Sequence, residues 1–514
     1  MDGSPKINPI IGGFAPDPSL VLVDGTYFLV NSTFHLFPGL PIYTSQDLVH
    51  WHQIGNAINR LEQLSFSKSS TLIHGLGDDD HLYATGGLYA PTIRYHNGTF
   101  YIVCTNVVND GEDSKESSLE NFIISTTDIH ANKWSDPVPV DFYGIDPSLF
   151  FDPNTGKAYL CGSKSPGPET KITLFEIDVE TGKKLSEEKQ LWHGTGGIYP
   201  EGPHIYFRNG FYYLMIAEGG THEGHSVTMA RSTSLQGPWE ASPKNPILSA
   251  AGTKEYIQCT GHCEAFEDKD GQWWGVCLGI RMGAPNLYGL GRETFLTNGT
   301  WSDDGWLSFD RAKVQIEHLS AVPDSSRRLT AAPGVDFLYI HDPVLSRYKI
   351  TDGHITLTAS PDGLKSANAS PSFVGKRQRR LEGRSSVTLL PPTNDSKPIT
   401  AGLAVYKDEH RFISLSYTAT PNSASSIIRL HVMNTAKRID NQQHAELEET
   451  PQALQFVFEY SETEYILSYR ADIGEVKELG RVSTMDLSNK DFVGPIVGIF
   501  AEGEGGQMIF KDFT

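Results

Sequence analysis

The sequence predicts an all-β protein in two parts, a five-bladed β-propeller over residues 1–325 followed by a β-sandwich over residues 326–514. Three observations carry this. Helical periodicity is scarce, and short runs of alternating aromatic and β-branched residues bounded by Gly, Asn and Asp recur along the chain. One hairpin-like unit, a Gly turn followed by aromatics, repeats five times in the first part. Beyond about residue 328 that repeat stops and strict polar/apolar alternation takes over. Length alone asks for two cores, because a single core stops growing at roughly 250 to 300 residues.

The five copies are "VDGTYFLV", "HNGTFYIV", "NTGKAYLC", "RNGFYYLM" and "KDGQWWGV", with their glycines at Gly25, Gly98, Gly156, Gly210 and Gly271. They lie 54 to 73 residues apart. That interval holds four short strands and their loops, which is one propeller blade. In such a fold the first strand of each blade lines the central channel, so the segments just ahead of each turn are the informative ones. They are "FAPDPSLVLV", "YAPTIRYH", "GIDPSLFF", "YPEGPHIYF" and "TGHCEAFED". Asp17, Thr92, Asp146, Glu201 and His262 stand at or near their heads. Pro16 and Pro18 flank Asp17, and a residue before proline is pushed toward extended conformations. An acid at one strand head is an ordinary turn residue. Three carboxylates meeting around one axis are costly, and such groupings persist mainly where chemistry uses their shifted pKa values.

In the second part, "RFISLSYTAT", "ALQFVFEYSE" and "EYILSYRADI" alternate as strands with one buried face, which suits two packed antiparallel sheets. The basic run "KRQRR" is short and isolated in an acidic chain, and is expected to be a solvated strand edge.

Composition narrows the partners. Sixty-two Asp and Glu against 42 Lys and Arg leave a formal charge of -20, which argues against nucleic acid or an anionic membrane and favours a neutral ligand. Five cysteines are an odd, sparse set and imply no disulfide framework. No apolar run is long enough to span a bilayer, and the N-terminus lacks a basic run followed by an apolar one. A cytoplasmic location is expected, with secretion as the alternative if a signal peptide has been removed. Sequons at Asn31, Asn97, Asn298, Asn368 and Asn394 point toward the alternative.

With these residues in view, the chain resembles glycoside hydrolase family 43, and within it the β-xylosidases and α-L-arabinofuranosidases that carry a C-terminal concanavalin-like sandwich. The resemblance runs over essentially the whole chain through "GFAPDPS", "STFHLFPGLPIYTSQDLVHW", "GIDPSLF", "YPEGPH", "MARSTSLQGPWE", "GHCEAF" and "GRETFL". It implies that Asp17 is the general base, Glu201 the general acid, and Asp146 the third carboxylate that raises and orients the acid. It also implies that Arg292 binds substrate, that Phe34 and Tyr89 wall the terminal-sugar pocket, and that Phe492 of the sandwich closes one side. His262 resembles a central histidine that in some members sits by a bound cation or water. No cofactor is required, no metal ligand set is assigned, and a structural cation near His262 stays open.

The activity so implied is exo-acting and inverting, releasing xylose from the non-reducing end of β-1,4-xylo-oligosaccharides, with α-L-arabinofuranosides or arabinoxylan-derived sugars as a further substrate class. A dedicated α-L-arabinofuranosidase and a non-catalytic carbohydrate-binding propeller are the alternatives, and self-association is left open. Ala15 stands where many members have Asn, and Tyr89 where related xylosidases often have Trp, which bears on the choice of pentose.

Overall fold

The computed structural model describes residues 7–77, 80–109, 117–316, 319, 329–351, 353–392, 398–419 and 426–514. The boundary expected at 325/326 and the sequon at Asn394 lie outside them. Among the described residues the chain is all-β, with only short 3-10 turns such as Ile129–Ala131 and Thr484–Leu487. No helix among them is long and apolar enough to cross a membrane.

Five sheets follow one another, each running antiparallel and in sequence order from its first strand outward, save that Thr330–Ala331 adds in parallel to the edge of the first and Leu248–Ser249 pairs back onto Ser226–Ser232 in the fourth. Their first strands are Ser19–Val23, Gly87–His96, Gly144–Phe151, Glu201–Arg208 and Ile257–Glu267. Each packs against the first strand of the next sheet, and the fifth packs against the first. Every neighbouring pair of sheets encloses its own apolar cluster. Phe28, Leu88 and Phe100 join the first two, and Val103, Phe142 and Leu160 join the second to the third. Cys161, Leu174 and Leu214 continue the series, followed by Met229, Cys277 and Phe295. Tyr43, Trp274 and Leu296 close it between the fifth sheet and the first. All five cysteines are buried and free.

The five repeated turns are of two kinds. Asp24-Gly25, Asn97-Gly98 and Asn209-Gly210 have positive φ at both residues and join strands directly, the type I′ geometry that Asn-Gly and Asp-Gly favour. Gly156 and Gly271 instead sit in longer connections between Phe151 and Ala158 and between Glu267 and Trp273.

The C-terminal part is a β-sandwich. A seven-stranded and a six-stranded sheet enclose a core that includes Leu357, Val387, Leu403, Leu415, Phe456 and Phe510. It docks on the five-sheet part through a mixed cluster in which Phe14, Phe34 and Leu36 meet Phe373, Tyr406, Phe412 and Val493. Fully burying a side chain of this size stabilises by about 1.5–3 kcal/mol. The basic run is not the solvated edge expected. Arg377 is 5 % exposed and lies over the Phe14 ring, because the strand Ser372–Arg377 turns one face to this interface. Only Arg380, beyond the strand, is exposed.

Beside this apolar contact the parts share a sheet. Thr71–Gly77 and Asp80–Thr85 form a hairpin, and Lys490–Asp491 of the sandwich adds to it in parallel. The Asp491 carboxylate receives Lys407 and Arg411, and Arg411 also pairs with Asp408, all of them buried. The Arg411 guanidinium lies 3.9 Å from the Tyr83 ring of the hairpin. Removing one partner of such a buried set strands the opposite charge at a cost of about 3–5 kcal/mol. Arg411→Met is therefore expected to lower unfolding free energy by about that amount, measured by denaturant titration. A loss under about 1 kcal/mol would place the cluster's net contribution near that of exposed pairs.

Candidate active site

In or just ahead of each first strand a residue lies in the left-handed region: Asp17 (φ 52°), Ala90 (29°), Asp146 (53°), Gly202 (56°) and His262 (44°), with Gly87 (99°) and Cys259 (59°) also there in the second and fifth. In the last four sheets pairing slips across this point, as between Tyr89 and Thr92 or Ile145 and Ser148. Such a bulge re-aims side chains out of the ladder. The repeat thus aligns Ala90 and Gly202 with the acids, where the sequence suggested Thr92 and Glu201. Glu201 stands one residue ahead of the repeated position.

Asp17 is not in the extended conformation that its prolines favour. Asp tolerates the left-handed region, and neighbours clamp it there. The Asn31 amide donates to the carbonyls of Ala15 and Pro16 at 3.1 and 2.9 Å, and to Thr294 Oγ1 at 2.9 Å. Asn31 is fully buried, so its sequon lies inside the fold. The Ser32 hydroxyl donates to Asp17 Oδ2 at 2.6 Å while accepting from the Ala90 N–H at 2.7 Å. Arg292 Nη1 donates to Asp17 Oδ1 at 3.1 Å.

Asp146 Oδ2 accepts the Gly202 N–H at 2.9 Å and stands 3.9 Å from His262 Nδ1. Burial raises the Asp146 carboxyl above the usual range, against the pull of His262. Glu201 is pushed well above the carboxylate range, first by desolvation and then by the charges of Asp146 and Asp17. Gly202 is required between them. A Cβ there would lie 2.9 Å from His262 Nδ1, and its φ is one that L side chains rarely adopt.

Arg292 is 5 % exposed, so it is no surface turn residue. Besides Asp17 it donates from Nη1 to Thr221 Oγ1 at 3.1 Å and from Nη2 to the Phe492 carbonyl at 3.0 Å. Its guanidinium lies over the Phe34 and Phe492 rings at 5.4 and 5.3 Å. Phe34, Tyr89 and Phe492 form one triangle with centroids 4.8, 5.9 and 5.8 Å apart. Phe34 is 1 % exposed and backs the other two. The structure therefore gathers all eight residues singled out from the sequence. Sequence reasoning missed Asn31, Ser32 and Thr221. Ser32 lies inside the quoted "STFHLF", and Thr221 follows Gly219-Gly220 at a strand end, a pattern that signals a functional loop.

The strand that carries His262 also holds a second buried carboxylate, Glu264. Glu264, next but one in the chain, is paired with Arg94 and accepts from Ser19 Oγ at 2.5 Å. Arg94 also donates to Ser148 Oγ at 3.3 Å and lies 3.2 Å from His204 Nδ1. A guanidinium thus answers that carboxylate, and among the described residues no three His, Cys, Asp or Glu side chains group as metal ligands.

Residues 7–307 match the family model for glycosyl hydrolases family 43. The chain belongs to glycosyl hydrolase family 43. Residues 330–514 of this family 43 hydrolase match the beta xylosidase C-terminal concanavalin A-like domain. It is 35 % identical to the non-reducing end alpha-L-arabinofuranosidase of Bacteroides ovatus, over 97 % of this chain and 91 % of the relative. Identity to the xylosidase/arabinosidase of Butyrivibrio fibrisolvens is 33 %, over 79 % of each chain. The solved xyloglucan PUL GH43B of Bacteroides ovatus superimposes with a TM-score of 0.84 at 32 % identity, covering 99 % of both chains. The xylan beta-1,4-xylosidase of Bacillus halodurans gives 0.83 at 26 %, covering 99 % of this chain and all of its own.

Gly202→Ala tests the family 43 site directly. Displacing His262 and Asp146 by about 1 Å is expected to lower kcat/KM by about 10²-fold, read by steady-state kinetics on protein whose near-ultraviolet circular dichroism is unchanged. Unaltered kinetics would show that the His262 ring has room to shift.

Proposed function

We propose that the five-sheet ring is a five-bladed propeller catalytic domain ending near residue 325, and that it works as an exo-acting, inverting β-1,4-xylosidase that also cleaves α-L-arabinofuranosides. The observation that carries this reading is the asymmetry among the acids. Burial and two neighbouring carboxylates favour a proton on Glu201, while Asp17 is fixed as an acceptor by Ser32 and Arg292. A glycosidase needs this division between a proton donor and a proton acceptor.

In this reading Asp17 takes a proton from water as the water oxygen attacks the anomeric carbon. The bond to the leaving oxygen breaks on the opposite face, and Glu201 gives that oxygen its proton. Inverting enzymes hold the two carboxyl groups roughly 6.5–9.5 Å apart to admit the water. Asp146 sustains the charge that keeps Glu201 protonated and is tied to its neighbour through the Gly202 N–H. Arg292 orients Asp17 and offers donors to sugar hydroxyls. Tyr89 and Phe492 wall the end of the pocket, which favours release of single sugars from a chain terminus.

A dedicated α-L-arabinofuranosidase is the second reading, favoured by the name of the Bacteroides ovatus relative. Nitrophenyl β-D-xyloside and α-L-arabinofuranoside, assayed side by side, decide between them. The leading reading expects higher kcat/KM on the xyloside.

Asp17→Asn is expected to reduce turnover by about 10²–10⁴-fold with xylose binding retained. Near-normal turnover would remove Asp17 from the role of base. For Asp146→Asn the sign follows from Glu201. The acid acts while protonated, so rate falls as pH rises through its raised pKa. Without the charge at position 146 that pKa drops and the basic limb of the pH profile moves to lower pH. An unmoved limb contradicts the role given to Asp146. Early-time proton NMR of xylobiose cleavage is expected to show α-xylose before mutarotation, and an initial β-anomer would exclude inversion.

A further inference from the structure

Two of the groups that hold Arg292 are themselves joined at a point outside the pocket. Thr221 lies on the loop Gly219–Gly224, and the next residue is His222. Phe492 follows Asp491, whose N–H donates to His222 Nε2 at 3.1 Å. The contacts close a ring running from Arg292 through Thr221, His222, Asp491 and Phe492 back to Arg292. Because a backbone N–H only donates, Nε2 must keep its lone pair. Burial favours that state, pushing the imidazole down to about 4. The Tyr288 ring meets the imidazole edge-on at 5.6 Å. On the other side of the bond, Asp491 is pinned by Lys407 and Arg411, so its N–H is a stationary donor.

The structure assigns His222 as a positioning residue, a neutral acceptor that locks the loop carrying Thr221 to the sandwich segment carrying Phe492 and so fixes Arg292 over Asp17. The inference rests on the role given above to Arg292 and Asp17. His222 touches neither of them through its ring bond and acts only through the two segments it ties. Without the bond, Thr221 and the Phe492 carbonyl are free to separate, and Arg292 loses the joint alignment of two of its three acceptors. That loosening touches both ground-state binding, through sugar hydroxyls, and turnover, through the direction of the base.

Two amide substitutions isolate the bond. In His222→Gln the carbonyl oxygen stands at the same bond distance from Cβ as Nε2, whereas in His222→Asn it falls one bond short. Both keep a small polar side chain, so they load the fold alike. His222→Asn is expected to raise KM for the nitrophenyl xyloside and lower kcat, each by about ten-fold. His222→Gln is expected to stay within about three-fold of the parent in both. Equal losses in the two variants, or kinetics unchanged in His222→Asn, overturn the assignment. A fall in Tm common to both with no kinetic difference between them does the same, since it marks a purely structural role. Failure of the acid–base reading shows elsewhere, as retained turnover in Asp17→Asn. Equilibrium binding of D-xylose to each variant in a Glu201→Gln background reads the alignment of Arg292 with no chemistry involved. There His222→Asn is expected to bind about ten-fold more weakly than His222→Gln, and equal affinities overturn the inference.

Discussion

The pocket depends on one buried cation. Arg292 is nearly sealed from water. A desolvated guanidinium needs acceptors, and here Nη1 and Nη2 find them while the buried Nε has none. Its three acceptors come from three stretches of chain: Asp17 from the first sheet, Thr221 from the loop after a strand of the fourth, and the Phe492 carbonyl from the sandwich. Moving any of them leaves a buried charge short of a partner. The orientation of Asp17 is therefore tied to the sandwich through one cation, and the aromatic triangle beside it supplies ring faces that a guanidinium favours.

The electrostatics around the acids follow from the same economy of partners. Asp17 has a cation, whereas Asp146 has a backbone N–H and a histidine at longer reach. Glu201 has only a weak pull from Arg292 to set against burial and two neighbouring carboxylates, and it is pushed further above the usual range than Asp146. The three carboxyl groups thus differ in what each is bonded to. Their residue type alone would not separate them.

Much of this was legible in the chain. Alternation of apolar and polar residues determines strands strongly because one face of each sheet is buried, so the all-β class followed directly. The turn glycines marked the sheets, and the segments ahead of them held Asp17, Asp146, Glu201 and His262. Three things were hidden, each for a physical reason. The left-handed residue shifts the pairing in four of the five sheets, so counting along the sequence points to Thr92 and Glu201 in place of Ala90 and Gly202. Flanking prolines bias a backbone but are overruled by several hydrogen bonds, as Asn31 and Ser32 do for Asp17. Contacts between segments hundreds of residues apart, such as Asp491 with Arg411 or with His222, leave no local pattern, and "KRQRR" looked solvated because nothing near it in sequence shows the Phe14 ring that covers Arg377.

The parallel pairing of Lys490–Asp491 with the hairpin near residue 82 bears on the timing of biosynthesis. Chains emerge N-terminal end first, at about 5–20 residues per second. The three acids and their sheets are out of the ribosome many seconds before Phe492 exists. During that interval the Arg292 guanidinium and the faces of Phe14 and Phe34 have no cover from the same molecule. A nascent chain thus passes through a stage in which its acids are assembled but the Phe492 carbonyl that receives Arg292 is still missing. The contacts that orient Arg292 are accordingly complete only once the sandwich segment around Phe492 has emerged.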